Sequence, residues 1–229
     1  MTGVSVILPS RRRPESLHRS LRGLVDLAAE PGEIQVLVAA DLDDEATCAL
    51  GDRRHLGLDD PLPPQVTVYA YPRVGYGRHH LYVNHLAKLT SGEWVMLWND
   101  DAVMLTPGWD KIITSAEPAI LWPHANHAPH TGVFPAWPRA WSDAMGHVAP
   151  YPHIDTHLHY VGENLGKITR IPVEVLHDRA DLTGNNDDLT YAEGRGRLGP
   201  EGMVPGWSAA AAHHAAWVDA QAIRRACLA

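Results

Sequence analysis

Four times between residues 4 and 98, a short apolar run stops at a cluster of polar or charged side chains. Residues 4–8 (Val-Ser-Val-Ile-Leu) end at Pro9-Ser10 and an arginine triplet, and residues 34–39 at Asp41-Leu42-Asp43-Asp44. Residues 66–71 end at Pro72-Arg73, and residues 94–98 at Asn99-Asp100-Asp101. Runs of this length rich in β-branched residues predict strands, and they are far short of the ~20 residues that cross a bilayer. Between the first two, Pro14 suits a first helical turn. Leu17, Leu21, Leu24 and Leu27 then recur on one helical face until Pro31-Gly32. Residues 76–90 predict a second helix that buries Leu81, Leu86 and Leu89. Strands alternating with helices imply an α/β fold, a mostly parallel sheet with helices on both faces.

Beyond residue 105 the pattern loosens. Residues 118–122, 131–135 and 171–176 predict strands, and residues 139–146 and 155–165 predict helices. Seven of the thirteen residues from 194 to 206 are Gly or Pro, which predicts a mobile loop that closes over a bound ligand. A last helix is expected over 207–225, capped by Ser208.

Composition excludes several classes. The 229 residues suffice for a sizeable core, and two distant cysteines, Cys48 and Cys227, exclude a disulfide framework. With no pattern of a secretion signal, a soluble cytoplasmic protein without membrane association is expected. The net charge of −8 argues against indiscriminate polyanion binding. That charge is uneven, however. Ten acidic residues lie from Asp26 to Asp60 and none from Val66 to Gly92, where Arg73, Arg78 and Lys88 stand among three histidines.

In open α/β sheets, ligands bind beyond the carboxyl ends of the strands. Here that edge carries one cationic loop and two acidic ones. Arginines beside a metal-binding carboxylate suit a diphosphate, since both neutralise its oxygens. A solvated turn explains any one of these loops alone. Three at one edge favour binding, and Arg73 after the third strand extends the cationic part.

These residues carry a family resemblance. Residues 4–14 resemble the opening of family 2 glycosyltransferases, some of which are stand-alone phage enzymes. The set Asn84, Ser91-Gly92, residues 94–98 and Asn99-Asp100-Asp101 is similar to that family's Asn, small-Gly pair, strand and Asp-x-Asp. The resemblance covers about residues 3–105. It implies a GT-A fold, Rossmann-like with a mixed, mostly parallel sheet, as one catalytic domain over 1–206 followed by a helix over 207–229. Residues 1–105 would be the donor-binding half and 106–193 the acceptor half. It further implies transfer of a sugar from a nucleotide-sugar, a UDP-sugar foremost, to an acceptor hydroxyl, with inversion and with Mn²⁺ or Mg²⁺. Pro9, Ser10, Arg11, Arg13, Asp41, Asp43, Arg73, Asn84, Asn99 and Asp100 would bind the donor. Asp101 would hold the metal, with Asp100 as substitute, because Asn99 replaces the first Asp and an amide ligates less strongly.

The family base lies at a helix start, which the resemblance places at Asp155, although Ile154 replaces the usual preceding acid. An N-cap role for Asp155 is the alternative. A late histidine serves several GT-A enzymes as a metal ligand, and His177, ending the run 171–176, takes that position. The acceptor stays open among a hydroxylated DNA base (host cytoplasm, if phage-encoded), a polysaccharide precursor and a small-molecule hydroxyl. Two other classes compete: a sugar nucleotidyltransferase, disfavoured without glycines to cradle a triphosphate, and a non-catalytic nucleotide-sugar or nucleic-acid binding module.

Of the 15 histidines, only His177 is read as a metal ligand. His157-Leu158-His159 has the form of the amidohydrolase His-x-His motif, but two residues apart on a helix face different ways. His79-His80 and His213-His214 are assigned to helix faces, and His124, His127 and His130 to a loop.

Overall fold

A computed structural model describes residues 3–51, 61–126, 132–178 and 206–228. Strands β1 (Val4–Ser10), β2 (Ile34–Asp41), β3 (Val66–Tyr71) and β4 (Trp94–Leu97) form where the apolar runs predict them. They are joined by β5 (Ala102–Met104), β6 (Ile120–Ala125), β7 (Ala136–Pro138) and β8 (Ile168–His177). The helices are α1 (Pro14–Asp26), α2 (Glu45–Leu50), α3 (His80–Ala87), α4 (Trp109–Thr114), α5 (Arg139–Met145), α6 (Ile154–Leu165) and α7 (Ala209–Cys227). None is long and apolar enough to cross a membrane among the described residues.

The strands make one curled sheet in the order β3-β2-β1-β4-β7-β6-β8-β5. The first four are parallel, β7 is antiparallel to both β4 and β6, β6 and β8 are parallel, and β5 closes antiparallel on β8. The fold is thus the mixed GT-A, Rossmann-like sheet flanked by helices. Side chains alternate across it as strand geometry requires. Val4, Val6 and Leu8 pack with Leu17, Leu21 and Leu24 of α1 on one face. Ile7, Leu37 and Val95 pack on the other with Val83 and Leu86 of α3 and with Trp141, Leu158, Val161 and Ile223. Helix α7, capped by the Ser208 hydroxyl accepting from the Ala211 N–H at 3.2 Å, lies against α5 and α6.

Two predictions of local structure need correction. Residues 132–135 are not strand. Phe134 has φ 56°, outside extended geometry, and β7 starts only at Ala136. A Cβ on Gly132 would come within 1.8 Å of the Trp122 ring, so this crossing needs a residue without a side chain. The helix over 76–90 is in fact a 3₁₀ turn, Tyr76–Arg78, followed by α3. Its buried set is Tyr82, Val83, Leu86 and Ala87, leaving Leu81 and Leu89 exposed. Of the expected loop over 194–206, all but Gly206 lies outside the described residues, as do His127 and His130.

The small-Gly pair before β4 has a packing cause. A Cβ on Gly92 would lie 2.5 Å from the Gly3 carbonyl oxygen. The Gly92 N–H instead reaches the Ser5 hydroxyl at 2.9 Å, and Ser5 donates to Gln35 at 2.7 Å. This ties β1, β2 and the entry to β4 together, and so sets where their carboxyl ends emerge.

Candidate functional site

At that edge lies a cavity of about 450 Å³ lined by Pro9, Ser10, Arg11, Arg13, Asp41, Arg73, Asn99, Asp100, Asp101, Asp155 and His177, among others. The end of β1, its loop and the start of α1 supply the arginines. Arg12 is held at φ 58° while its N–H donates to Asp44 at 2.6 Å. That backbone turn directs Arg11 and Arg13 to opposite sides. Arg11 bonds Asp41 at 2.7 Å and also Asp43. Arg13 bonds Asp100 at 2.8 Å and Asp101 at 3.3 Å.

The second half of the sheet completes one end. Pairing of Ala102 with His177 brings the carboxyl end of β8 beside the acidic loop, where His177 Nε2 lies 3.1 Å from Asp101 Oδ1. Asn126 fixes the His177 backbone, accepting its N–H at 2.8 Å and donating to its carbonyl at 3.2 Å. The Phe134 ring meets the imidazole edge-on, which gives its unusual backbone a place in the site. Burial works against an ionised Asp101, but His177 and Arg13 outweigh it and hold its carboxyl below the usual range. Asp100, more completely enclosed, is pushed up to about 6 by burial, opposed by Arg13 and assisted by the charge of Asp101. The Ser10 hydroxyl donates to it at 2.7 Å. Asp101 Oδ1 and His177 Nε2 together are a carboxylate–imidazole pair of the kinds that hold a divalent cation.

Another part of the cavity is built from α3 and α6. Asp155 stands in the first turn of α6, where the helix dipole favours negative charge. It is not the N-cap. That position is His153, which makes no side-chain cap bond, while Asp155 accepts the N–H of Thr156 at 2.8 Å. His79 and His153 line the same part. Burial pushes both imidazoles toward the neutral form, and the charge of Asp155 partly offsets it.

Eleven of the thirteen residues proposed from sequence thus meet in one cavity. Asp43 and Asn84 do not line it. Asp43 is half-exposed and reaches the site only through Arg11. The Asn84 amide is engaged elsewhere, accepting from Val148 and Ala149 at 2.8 and 3.1 Å and donating to the Ala149 carbonyl at 2.8 Å. Asp44, the last acid of that loop, caps α2 through Thr47. Sequence reasoning missed Tyr76, His79, Tyr82 and His153. The one signal for His79 was its place in the acid-free stretch 66–92. Of the basic side chains in 66–92, Arg73 and His79 line the cavity, whereas Arg78 and Lys88 are exposed and do not.

No family model and no curated protein matches the sequence. Among solved structures, the chain is similar to S. aureus TarS, at 13% identity and TM-score 0.55 over 77% of this chain and 37% of that one. It is also similar to TarS 1–349 in complex with UDP, at 14% identity and TM-score 0.59, covering 76% and 59%. TarS 1–349 in complex with UDP-GlcNAc gives 15% identity and TM-score 0.59, covering 99% and 68%. The chain therefore spans between about a third and two thirds of these structures, and what it shares with them is the fold.

Proposed function

We propose that this chain is a glycosyltransferase that moves a sugar from a nucleotide-sugar, a UDP-sugar foremost, to an acceptor hydroxyl with inversion. One observation carries the reading: a single cavity at the carboxyl edge of the sheet holds arginines, an Asp101–His177 pair and a helix-borne carboxylate, Asp155. The same fold in S. aureus TarS has been obtained with UDP-GlcNAc, which supports this donor class.

Asp41, at the end of β2, accepts hydrogen bonds from the base or ribose, and Arg11 and Arg73 face the phosphates from either side of it. Arg13, held at the site by Asp100 and Asp101, offers its guanidinium to a phosphate oxygen when the donor enters. Asp101 and His177 would hold Mn²⁺ or Mg²⁺, with Asp100 beside them, and the ion when bound adds charge that stabilises the departing diphosphate. Asp155 takes the proton of the acceptor hydroxyl as that oxygen attacks the anomeric carbon. His79 and His153, held neutral, leave Asp155 the charged base there.

The test is incubation with a panel of nucleotide-sugars and Mn²⁺, measuring released nucleotide with and without hydroxyl acceptors, DNA containing hydroxylated bases included. Nucleoside diphosphate release is expected. Binding without turnover would instead favour a non-catalytic module, which Asn99 in place of an acid would then explain. Asp101→Ala is expected to abolish transfer with the fold intact by circular dichroism, and near-normal activity overturns the metal assignment. Asp155→Asn is expected to lower kcat by ~10²–10⁴ with donor affinity retained. Lost donor affinity would make Asp155 a structural residue.

A further inference from the structure

Away from the cavity, three elements aim two imidazoles and one carboxylate at a common point. His147 follows α5, His157 is on α6 and Asp219 is on α7. Both Nε2 atoms lie 2.9 Å from the same oxygen, Asp219 Oδ2, and the candidate ligand atoms are all within 4.8 Å of one another. His157 is fully buried and Asp219 nearly so, whereas His147 remains about 29% exposed.

A carboxylate removed from water needs a compensating cation. Among the described residues, Asp219 has no lysine or arginine partner, only these two imidazoles. A hydrogen-bonded triad would require both rings to present an Nε2 hydrogen to one oxygen. Nothing fixes the His157 ring in that form, because its buried Nδ1 has no hydrogen-bond partner. One divalent ion takes all three ligand atoms, the two Nε2 and Asp219 Oδ2, together. Tetrahedral zinc, bonded to N and O at ~2.0–2.2 Å, keeps its donors roughly 3.4 Å apart. Each imidazole here needs to retreat from Asp219 by only ~0.5 Å to admit it.

We propose that His147, His157 and Asp219 form a second metal site, selective for a zinc-class divalent ion, that fastens α7 to α6. The two-imidazole, one-carboxylate set favours zinc over Mg²⁺ or Ca²⁺, which prefer all-oxygen shells. The exposed edge of His147 provides entry and leaves a fourth position for water. The ion also joins the segments behind the cavity. Helix α6 opens with Ile154 and Asp155, which line the cavity, and Asn84 of α3 holds Val148 and Ala149 next to His147. Fastening α7 here therefore steadies the first turn of α6.

The test uses the full chain, stripped with chelator, carrying Asp101→Ala so that the cavity contributes no ion. Zinc titration by calorimetry is expected to show one equivalent bound, with Tm rising as zinc is added. In the same background, Asp219→Asn and His147→Gln are expected to weaken zinc binding at least ~100-fold and to abolish the Tm rise. The His147 substitution changes a partly exposed side chain, so its folding is not at issue. Cobalt provides a second reading, since its visible absorption reports a tetrahedral nitrogen-oxygen site. Two results overturn the proposal: no zinc bound by the Asp101→Ala protein, or zinc binding unchanged by His147→Gln. Either leaves the triad a proton-bridged contact. The outcome is independent of whether the cavity transfers a sugar.

Discussion

Tyr82 governs how Asp41 faces the cavity. Its phenol donates to Asp41 and accepts the Val74 N–H at 2.9 Å, linking the end of β2 to the loop after β3. Burial, reinforced by the Asp41 carboxylate, pushes the phenol up to about 12, so it remains a donor at any working pH. Tyr82→Phe leaves the Val74 N–H and one Asp41 oxygen without this partner. The expected loss is ~1–2 kcal/mol in denaturant unfolding, with the donor KM raised several-fold and kcat little changed. An unchanged KM would mean that Asp41 does not meet the donor. At this scale the strand-end residues were legible, because a ligand edge is a property of topology: Asp101 and His177 are 76 residues apart in sequence and meet only because β5 pairs with β8. Tyr82 and Asn84 were not legible, since which face of α3 turns inward depends on partners in β2 and in the 148–149 segment. His147, His157 and Asp219 were missed for the same reason, lying on three separate elements. The separation of His157 from His159 was correctly foreseen, and His159 pairs with Glu163 instead.

Elements long enough to show a period were readable, and short ones were not. Helix α1 has the proline start and leucine face read from its sequence. Helices α2 and α4 have six residues each, and β5 and β7 three each, too few to display a repeat. Their positions follow from tertiary contacts: Trp109 of α4 donates to the Leu24 carbonyl at 2.9 Å, and Asp110 accepts from Ala29 and Glu30. The junction of β1 and β4 is the element-scale feature most open to test. Gly92→Ala places a methyl carbon against the Gly3 backbone, which has no side-chain freedom to yield. It is expected to cost at least ~1–3 kcal/mol, read as a lower denaturation midpoint, together with weakened donor binding as the strand ends shift. Equal stability in the variant would show that the β1 start is free to move.

For the whole molecule, partly and fully buried histidines set the response to acid. His80 is pushed down to about 4, chiefly by burial and further by the neighbouring basic groups His79, Arg78 and His147. His79, His153 and His157 are lowered too, again with burial the largest cause. Between the ordinary histidine value of 6.5 and these lower ones, the unfolded chain binds protons that the folded chain refuses. Stability therefore rises with pH across that window and is lost as pH falls through it. Asp43, Asp101 and Asp219, held below the usual carboxylate range, add losses of the same sign only at more acid pH, below about 3.8. Asp100 acts oppositely, because its raised value lets the folded chain take up a proton between 3.8 and about 6. One carboxyl against four imidazoles leaves the histidines dominant above pH 5. In metal-free protein, Tm is expected to fall as pH is lowered from 7.5 to 5. In His80→Gln the fall should shrink by ~2–4 °C, corresponding to on the order of 1 kcal/mol for this half-buried ring. A Tm that stays level or rises toward pH 5 would mean that these imidazoles accept protons in the folded state, and that the packing of α3 and α6 behind the cavity is looser than their burial implies.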